Sequence, residues 1–418
     1  MSASGFSGFS GFSGFSGFSG FSGFSGFSGF SGFSGSGLLG HAGAPSSPLL
    51  NSALVETRDG IAGYWPIPAQ RYTTRLGESE NSDINYLRLP IRGRMLDHAL
   101  ATTVQVRAIG GTATQSSAGA VVRYIAPFDE AGDATLGADI ARIERPEDET
   151  GLIEGQMQWL RTYADLRRDR VSEVFQQQDD ILSFFGAIGM LDDQRRLKTL
   201  ELLNAVVRFA ILVETQVKHL CRFRRPVDFD PRVQPMIQTP DHSSFPSGHA
   251  CEAYAVATVM HFLMPETREM PLFPDAATPD ATSAGATPAP ARVVSQPLRL
   301  AHRIAENRTV AGVHYPMDSG AGALLGVALG LHLVGLAKAG MALEADPPST
   351  ETFAVQPEQV FSDWANDQDF NNEWLGETVV QGPTGRRLTY TGNLVLGAYW
   401  KRALGEWPDL RIAAGPGT

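Results

Sequence analysis

The chain has 418 residues, of which 43% are hydrophobic and 19% are charged, and its formal net charge is -11. This length and apolar content suffice for one large core or two smaller ones, which excludes a wholly disordered protein. The excess of carboxylates argues against broad nucleic-acid binding, so no nucleic-acid partner is expected. The two cysteines, Cys221 and Cys251, exclude a disulfide framework, and no cluster of cysteines and histidines has zinc spacing.

A low-complexity repeat occupies the N-terminus. Residues 5–34 are ten consecutive Gly-Phe-Ser triplets, and they hold ten of the 23 phenylalanines. Without a basic segment or a continuous apolar stretch this is not a classical secretory signal, so the sequence leaves the compartment unknown and a soluble protein is expected. The repeat, with bounds 1–37, is either a flexible tail or a self-association segment that builds a homo-oligomer or a larger assembly through its exposed rings.

The pattern changes twice along the next part of the chain. Residues 38–130 place proline, glycine and serine between short apolar runs, which predicts an irregular segment wrapped around a core. Residues 131–345 are predicted to form a helical domain, because the runs at 152–190 and 192–224 repeat apolar side chains at three- and four-residue spacing. The predicted fold class is therefore all-α.

Three further segments complete this organisation. Residues 265–297 are rich in proline, alanine and threonine, which predicts a surface insertion between two helices. Residues 320–337 are apolar over about the length of a membrane span; because the chain has no companion span, a buried core helix is favoured and no membrane span is expected. Residues 346–418 form a C-terminal extension, and four tryptophans indicate a packed extension or a subunit contact and not a tail: Trp364, Trp374, Trp400 and Trp407.

Two short motifs combine cations with a helix start. Lys218 and Arg225 are seven residues apart near the predicted end of a long helix, nearly two turns, which predicts that both project from one face and converge on one anion. Further on, Ser247, Gly248 and His249 follow a proline and precede a helical run. The free N–H groups of a helix start, a hydroxyl and a glycine form an oxyanion cradle, with an imidazole beside it.

A third motif adds a cation and a paired histidine. Arg308 precedes His314, and Asp318 follows that histidine by four residues. This spacing allows the carboxylate to accept a hydrogen bond from the imidazole, which fixes the tautomer and leaves the other nitrogen as a nucleophile or ligand. Each residue alone has an ordinary structural explanation. The three motifs in this order and spacing indicate one anion site.

The motifs resemble the signature of the type 2 phosphatidic acid phosphatase superfamily, which includes vanadium-dependent haloperoxidases and bacterial acid phosphatases. That signature is Lys-x6-Arg-Pro, Pro-Ser-Gly-His and Ser-Arg-x5-His-x3-Asp; the one departure is Asn307, where the family usually has Ser. The resemblance implies an all-α helix bundle of the haloperoxidase and acid phosphatase type in residues 131–345. It also implies that vanadate, or phosphate in the same place, is the bound cofactor, held by Lys218, Arg225, Ser247, Gly248, Arg308 and His314.

The resemblance also implies roles for the individual residues. His314 is the expected metal ligand to vanadate, or the nucleophile toward phosphate, and Asp318 supports it. His249 is the expected general acid or base, and Lys218 the group that polarises the bound oxidant. His242 lies seven residues before His249, where the bromoperoxidase branch has a similarly placed histidine, and a second titratable group there could tune proton transfer.

A vanadate-dependent haloperoxidase is the favoured function. It would oxidise bromide or iodide with hydrogen peroxide to hypohalous acid, which reacts with an organic acceptor. The chain lacks the several spans of a membrane lipid phosphatase, and the 59-residue interval from His249 to Arg308 resembles the haloperoxidases more than the compact acid phosphatases. Two alternatives stay open: a soluble acid phosphatase acting on phosphate esters through a phosphohistidine, and a structural assembly protein built around the repeat.

Overall fold

The computed structural model describes residues 52, 87–110, 118–125, 138–147, 151–273, 294–343, 354–355, 358–380, 388–390 and 392–407. The Gly-Phe-Ser repeat at 1–37, and with it the expected self-association, lies outside the described residues. The helices before the anion motifs are α1 (Leu89–Ala101), α2 (Leu152–Tyr163), α3 (Arg167–Gln176), α4 (Leu182–Gly189) and α5 (Leu197–Cys221). Those that follow are α6 (Pro226–Phe229), α7 (Gly248–Leu263), α8 (Gln296–Val310), α9 (Pro316–Leu343), α10 (Asn372–Val380) and α11 (Leu394–Gly405).

The core is a helix bundle built around α9, which confirms the predicted all-α core. This helix is apolar on all sides, and it packs against α7, α11 and α5. Gly322, Gly326 and Gly330 lie one turn apart on α9 and face α7, where any side chain would collide with the neighbouring helix. Because glycine has no Cβ, the two helix backbones approach closely along this stripe.

Helix α9 is also the one element in the described part of the chain that is long and apolar enough to cross a membrane. Its most apolar window is entirely buried inside the fold. The same length and composition are found in core helices of soluble proteins, so the helix is weak support for a membrane span. Its packing agrees with the core helix favoured from the sequence.

A small sheet lies beside the bundle, and the sequence reading missed it. Strands β1 (Val104–Ala108), β2 (Gly119–Tyr124), β3 (Asp139–Glu144) and β5 (Gln359–Phe361) pair in the order β1-β2-β3-β5. The first two pairings are antiparallel and the last is parallel, while the short strands β4 (Ala354–Val355) and β6 (Leu388–Thr389) pair separately.

This sheet and helix α1 correct the description of residues 38–130 as irregular at residues 89–108 and 119–124. Helix α1 packs against α5, and the buried face of β2 belongs to the same hydrophobic core. Among the described residues after 131, the first element is the strand β3 and the first helix starts at Leu152. Part of the N-terminal segment therefore has regular secondary structure and packs into the core of the domain.

The two peripheral segments differ in how far they enter the core. Within the predicted surface insertion 265–297, residues 274–293 lie outside the described part, but Leu272 and Phe273 are buried, so the start of the insertion is anchored in the core. In the C-terminal extension Trp400 and Trp407 are buried, and Trp364 packs edge to face on Trp374. The described part of the extension is packed against the bundle, as its tryptophans predicted.

Candidate active site

The three motifs meet at one buried cavity where several helix ends converge. The cavity has a volume of about 20 Å³ and lies between the C-terminal end of α5, the start of α7, the last turn of α8 and the loop before α9. Space of this size holds a small inorganic species and excludes a bulky organic group. Its lining residues are Lys218, Arg225, Ile237, Pro240, His242, Gly248, His249, Arg308, Val313 and His314.

The start of α7 provides the oxyanion cradle expected from the sequence. Ser247 is the N-cap residue of α7, yet within the described part of the chain its buried hydroxyl makes no capping hydrogen bond and has no other partner. A serine at this position normally caps the helix, so a buried and unused hydroxyl is available to a ligand. The Ser247 backbone is fixed by its N–H, which donates to the Asp318 carbonyl oxygen at 2.8 Å. Gly248 begins the helix, where backbone N–H groups have no partner within the helix.

Arg308 supplies a buried guanidinium with unused donors. Its Nη2 donates to the backbone oxygen of Val174 at 3.2 Å and to Oε1 of Gln177 at 3.1 Å. Its Nε and Nη1 are buried and have no hydrogen-bond partner among the residues that the structure describes. Burial lowers the pKa of Arg308 to about 10, which still leaves it charged at neutral pH. Burying the hydrogen-bond donors of a charged group without acceptors destabilises the folded protein, unless an anion accepts hydrogen bonds from them.

Lys218 and Arg225 both reach the cavity, although not for the predicted reason. Helix α5 ends at Cys221, and Arg222 follows in the left-handed conformation, so Arg225 lies outside that helix at the start of α6. The chain therefore turns Arg225 back toward Lys218, and the expectation of a shared helix face was wrong. The Lys218 ammonium donates to the carbonyl oxygen of Pro246 and lies 3.6 Å from Oε2 of Glu214.

His314 has the tautomer expected of a ligand or nucleophile. Its Nδ1 lies 3.0 Å from Oδ2 of Asp318, which also accepts hydrogen bonds from the Ser244 hydroxyl and the Tyr315 amide. Its Nε2 lies 3.1 Å from Nη1 of Arg225, a group that can only donate. The carboxylate therefore accepts from Nδ1–H, and the lone pair of Nε2 is on the side of the arginine and the cavity.

Burial decides the charge of this pair. It raises the pKa of Asp318 to about 6 against the opposing hydrogen bonds of Ser244 and Tyr315, so the carboxyl is ionised at neutral pH. It also holds the pKa of His314 well below its ordinary value, helped by the nearby charges of Arg225 and Lys218. At neutral pH the imidazole is therefore neutral, as a metal ligand or nucleophile must be.

His249 lies on the cavity wall with one nitrogen anchored. Its Nε2 is 2.8 Å from the backbone oxygen of Gln177, which can only accept, so Nε2 carries the hydrogen and Nδ1 is the free base. Burial and the charge of Arg308 hold the pKa of His249 well below its ordinary value. The ring is therefore neutral before an anion binds.

His242 joins the site through Arg225. Its Nδ1 lies 3.2 Å from Nη2 of that arginine, and the ring lines the cavity while remaining half-buried. Burial, together with the charges of Lys218 and Arg225, lowers the pKa of His242 to about 3. The structure thus places every sequence-predicted site residue at or directly behind one cavity.

The sequence reading missed two buried residues that hold this site together. Gln177 holds Arg308 through its side chain and His249 through its backbone oxygen. It follows α3 in a run of glutamines that carries no motif, so no sequence signal marked it. Glu214 precedes Lys218 by one helical turn, and burial raises its pKa to about 7. An acid one turn before a motif lysine is a signal that could have been used.

Asn307, the departure from the superfamily signature, also belongs to this support. Its side chain donates to Gln177 and to Glu173, both at 3.0 Å, and accepts from Arg170 at 2.9 Å. The amide therefore faces away from the ligand and braces the glutamine that holds Arg308. The substitution leaves the donors of the cavity unchanged.

A comparison with known families agrees with this geometry. Residues 198–340 match the family model of the PAP2 superfamily. This segment is a PAP2 superfamily domain. It contains all the predicted site residues, from Lys218 to Asp318, while Gln177 lies outside the matched range. No curated protein matches the chain. PAP2 domains belong to hydrolytic or haloperoxidase enzymes, so an enzyme of this general kind is supported.

Proposed function

We propose that the protein is a vanadate-dependent haloperoxidase that oxidises bromide or iodide with hydrogen peroxide to hypohalous acid. The observation that supports this proposal best is the set of unused donors around the cavity. The Ser247 hydroxyl and the Nε and Nη1 groups of Arg308 are buried without partners. A tetrahedral oxyanion fits such a set, because each of its oxygens accepts hydrogen bonds and its charge offsets buried cations.

The residues present suit vanadate in particular. Lys218, Arg225 and Arg308 would contact its oxygens together with the cradle of α7, and the Nε2 lone pair of His314 would hold the metal. Bound vanadate would supply a Lewis-acid centre that activates peroxide toward halide without a change in its own oxidation state.

The other residues prepare this site without touching the metal. Asp318 keeps the hydrogen of His314 on Nδ1, so that Nε2 carries the lone pair, which in this structure accepts a hydrogen bond from Nη1 of Arg225. His249 is neutral and anchored at Nε2, which leaves Nδ1 to accept a proton from the oxidant and return it later. An added anion would raise the pKa of this histidine, because it offsets the positive charge of Arg308.

One observation favours the haloperoxidase over the phosphatase. His242 adds a neutral imidazole beside Arg225, at the place where an oxidant would need a second proton carrier. A phosphatase remains the second candidate, since the pair formed by His314 and Asp318 is equally suited to accept a phosphoryl group.

One assay pair tests both candidates. Purified apoprotein is reconstituted with orthovanadate and assayed for bromination of a dye with bromide and peroxide, and hydrolysis of p-nitrophenyl phosphate is measured without vanadate. Vanadate-dependent bromination is the expected result. Ester hydrolysis without bromination would overturn the proposal in favour of the phosphatase.

Two variants assign the roles. His314→Ala removes the metal ligand and is expected to abolish vanadate retention; normal affinity in this variant would refute the assignment. His242→Ala is expected to lower bromide oxidation more than vanadate binding. Unchanged turnover in this second variant would leave His242 without a role in proton transfer.

A further inference from the structure

A larger cleft lies beside the anion cavity and shares part of its lining with it. The cleft has a volume of about 680 Å³, the size of a site for a small organic molecule. Four residues line both spaces: Lys218, Arg225, Pro240 and His242. A molecule in the cleft would therefore reach the cavity with one end while most of it stays outside.

The outer wall of this cleft is cationic. Arg222 and Arg224 line it and are exposed, beyond the two cations shared with the cavity, and His219 lies beside them. Its carboxylates are Asp228 and Asp241, and the first is engaged as an acceptor from the Arg225 amide at 2.9 Å. In a chain of net charge -11, a wall with this balance attracts an anionic group.

The backbone at Arg222 is in the left-handed conformation. This residue follows α5 with φ of 49°, in the region where glycine is the usual choice at a helix end. Met190 and Gln234 have the same conformation, so the backbone itself marks no site. It places the Arg222 side chain on the cleft wall at the point where the chain turns from Lys218 toward Arg225.

We propose that the cleft binds a small organic molecule bearing a carboxylate or phosphate group, with that group against Arg222 and Arg224 and its other end at the anion cavity. This inference rests on the proposed function, under which the molecule is the organic acceptor. An aromatic carbon of the acceptor gains the halogen of hypohalous acid, and the displaced proton leaves with the hydroxide as water. Binding at the mouth of the cavity puts this carbon where the reagent emerges.

The test compares two ligands of nearly equal size that differ in charge, 4-hydroxybenzoate and its neutral methyl ester. Their dissociation constants are measured by calorimetry on the full chain, with the anion cavity saturated with orthovanadate so that the carboxylate cannot occupy it. The variant is Arg222→Gly combined with Arg224→Gln. Glycine suits the left-handed position, so the variant is expected to fold, and its melting temperature verifies this.

The control variant is Arg195→Gln. Arg195 is an exposed arginine that precedes α5, at the opposite end of the 25-residue helix from Arg222, and it pairs with Asp192. We expect the double variant to weaken binding of 4-hydroxybenzoate at least fivefold and that of the methyl ester less than twofold. The control is expected to change neither constant by more than twofold.

Three other results overturn the inference: equal weakening of both ligands, no weakening, or no binding by the unaltered protein. Triiodide formation from iodide and peroxide needs no organic acceptor, and it tests the proposed function separately. A protein that makes no triiodide but discriminates between the two ligands would refute the haloperoxidase and retain the anionic cleft. A protein that makes triiodide at the same rate in all variants but does not discriminate between the two ligands would retain the haloperoxidase and refute the anionic cleft.

Discussion

Gly322 on α9 connects the packing of the bundle to the anion site. A Cβ atom at this position would lie 2.3 Å from the carbonyl oxygen of Ser247. Close contacts between carbon and oxygen are normally about 3.3–3.6 Å, so the start of α7 would have to move by about 1 Å to admit a methyl group. Gly322→Ala is therefore expected to displace the backbone that carries the Ser247 hydroxyl and the Gly248 amide.

The expected change in the free energy of unfolding is the sum of two terms. Overpacking costs about 1–3 kcal/mol, and replacing glycine in a helix returns about 1 kcal/mol, so the free energy of unfolding should fall by about 0–2 kcal/mol. Each hydrogen bond to a charged ligand contributes about 1.5–3 kcal/mol, and misplacing one of them should weaken the affinity for orthophosphate or orthovanadate roughly 10- to 100-fold.

Gly326→Ala is the matched control. Its Cβ would also lie 2.3 Å from a backbone oxygen of α7, that of Cys251, but one turn farther from the cavity. Both variants should lose similar stability in thermal unfolding, while calorimetric titration with orthovanadate should show the large loss of affinity only in Gly322→Ala. Equal losses of affinity in the two variants would refute the idea that Gly322 sets the position of the cradle.

Three further predictions concern the support of the site and the core. Gln177→Leu removes one of the two acceptors of Arg308 Nη2 and should weaken orthovanadate binding about tenfold; unchanged affinity would show that Arg308 needs no such support. Asp318→Asn removes the charge behind His314 and should reduce affinity about 10- to 100-fold in the same titration, and an unchanged value would contradict its orienting role. Burial lowers the pKa of His332 to about 3, from about 6.5 when unfolded, so its contribution to stability is complete above about pH 6.5 and is lost as the pH falls. At pH 5 the loss should be about 2 kcal/mol in chemical denaturation, and an equally steep acid limb in His332→Gln would contradict this source.

The anion site could be predicted from the sequence because its determinants are local. A serine and a glycine before a helix form a cradle wherever they occur, since the free N–H groups are a property of every helix start. The hydrogen bond between His314 and Asp318 follows likewise from their four-residue spacing at the start of α9. Such relations need no knowledge of how distant segments pack.

Long-range relations could not be predicted in this way. The position of Arg225 depends on the left-handed turn at Arg222, which no residue preference indicates at an arginine. Gln177 is brought to the site by the docking of α3 against α8, more than a hundred residues away in sequence. Strand β2 did carry a signal, because Ala120, Val122 and Tyr124 are buried in alternation, but the surrounding glycines and prolines obscured this period of two.

The balance of buried charge explains why the site requires an anion. Lys218, Arg225 and Arg308 are all buried at one cavity. Glu214 and Asp318 act on Lys218 and Arg225, Asp228 and Asp241 also act on Arg225, and the buried Glu252 acts on Arg308. Burial raises the pKa of Glu214 to about 7, so this acid is only partly ionised at neutral pH and compensates Lys218 incompletely. The nearby histidines are held neutral and add no positive charge.

Buried positive charge that is incompletely compensated destabilises the folded protein until a ligand neutralises it. An oxyanion at the cavity would supply the missing negative charge and at the same time satisfy the unused donors of Ser247 and Arg308. Its binding energy therefore also contributes to folding stability, by about 2.7 kcal/mol when the free anion exceeds its dissociation constant a hundredfold. The same buried cations and unused donors that lower folding stability without a ligand thus also make the site selective for a compact, highly charged anion.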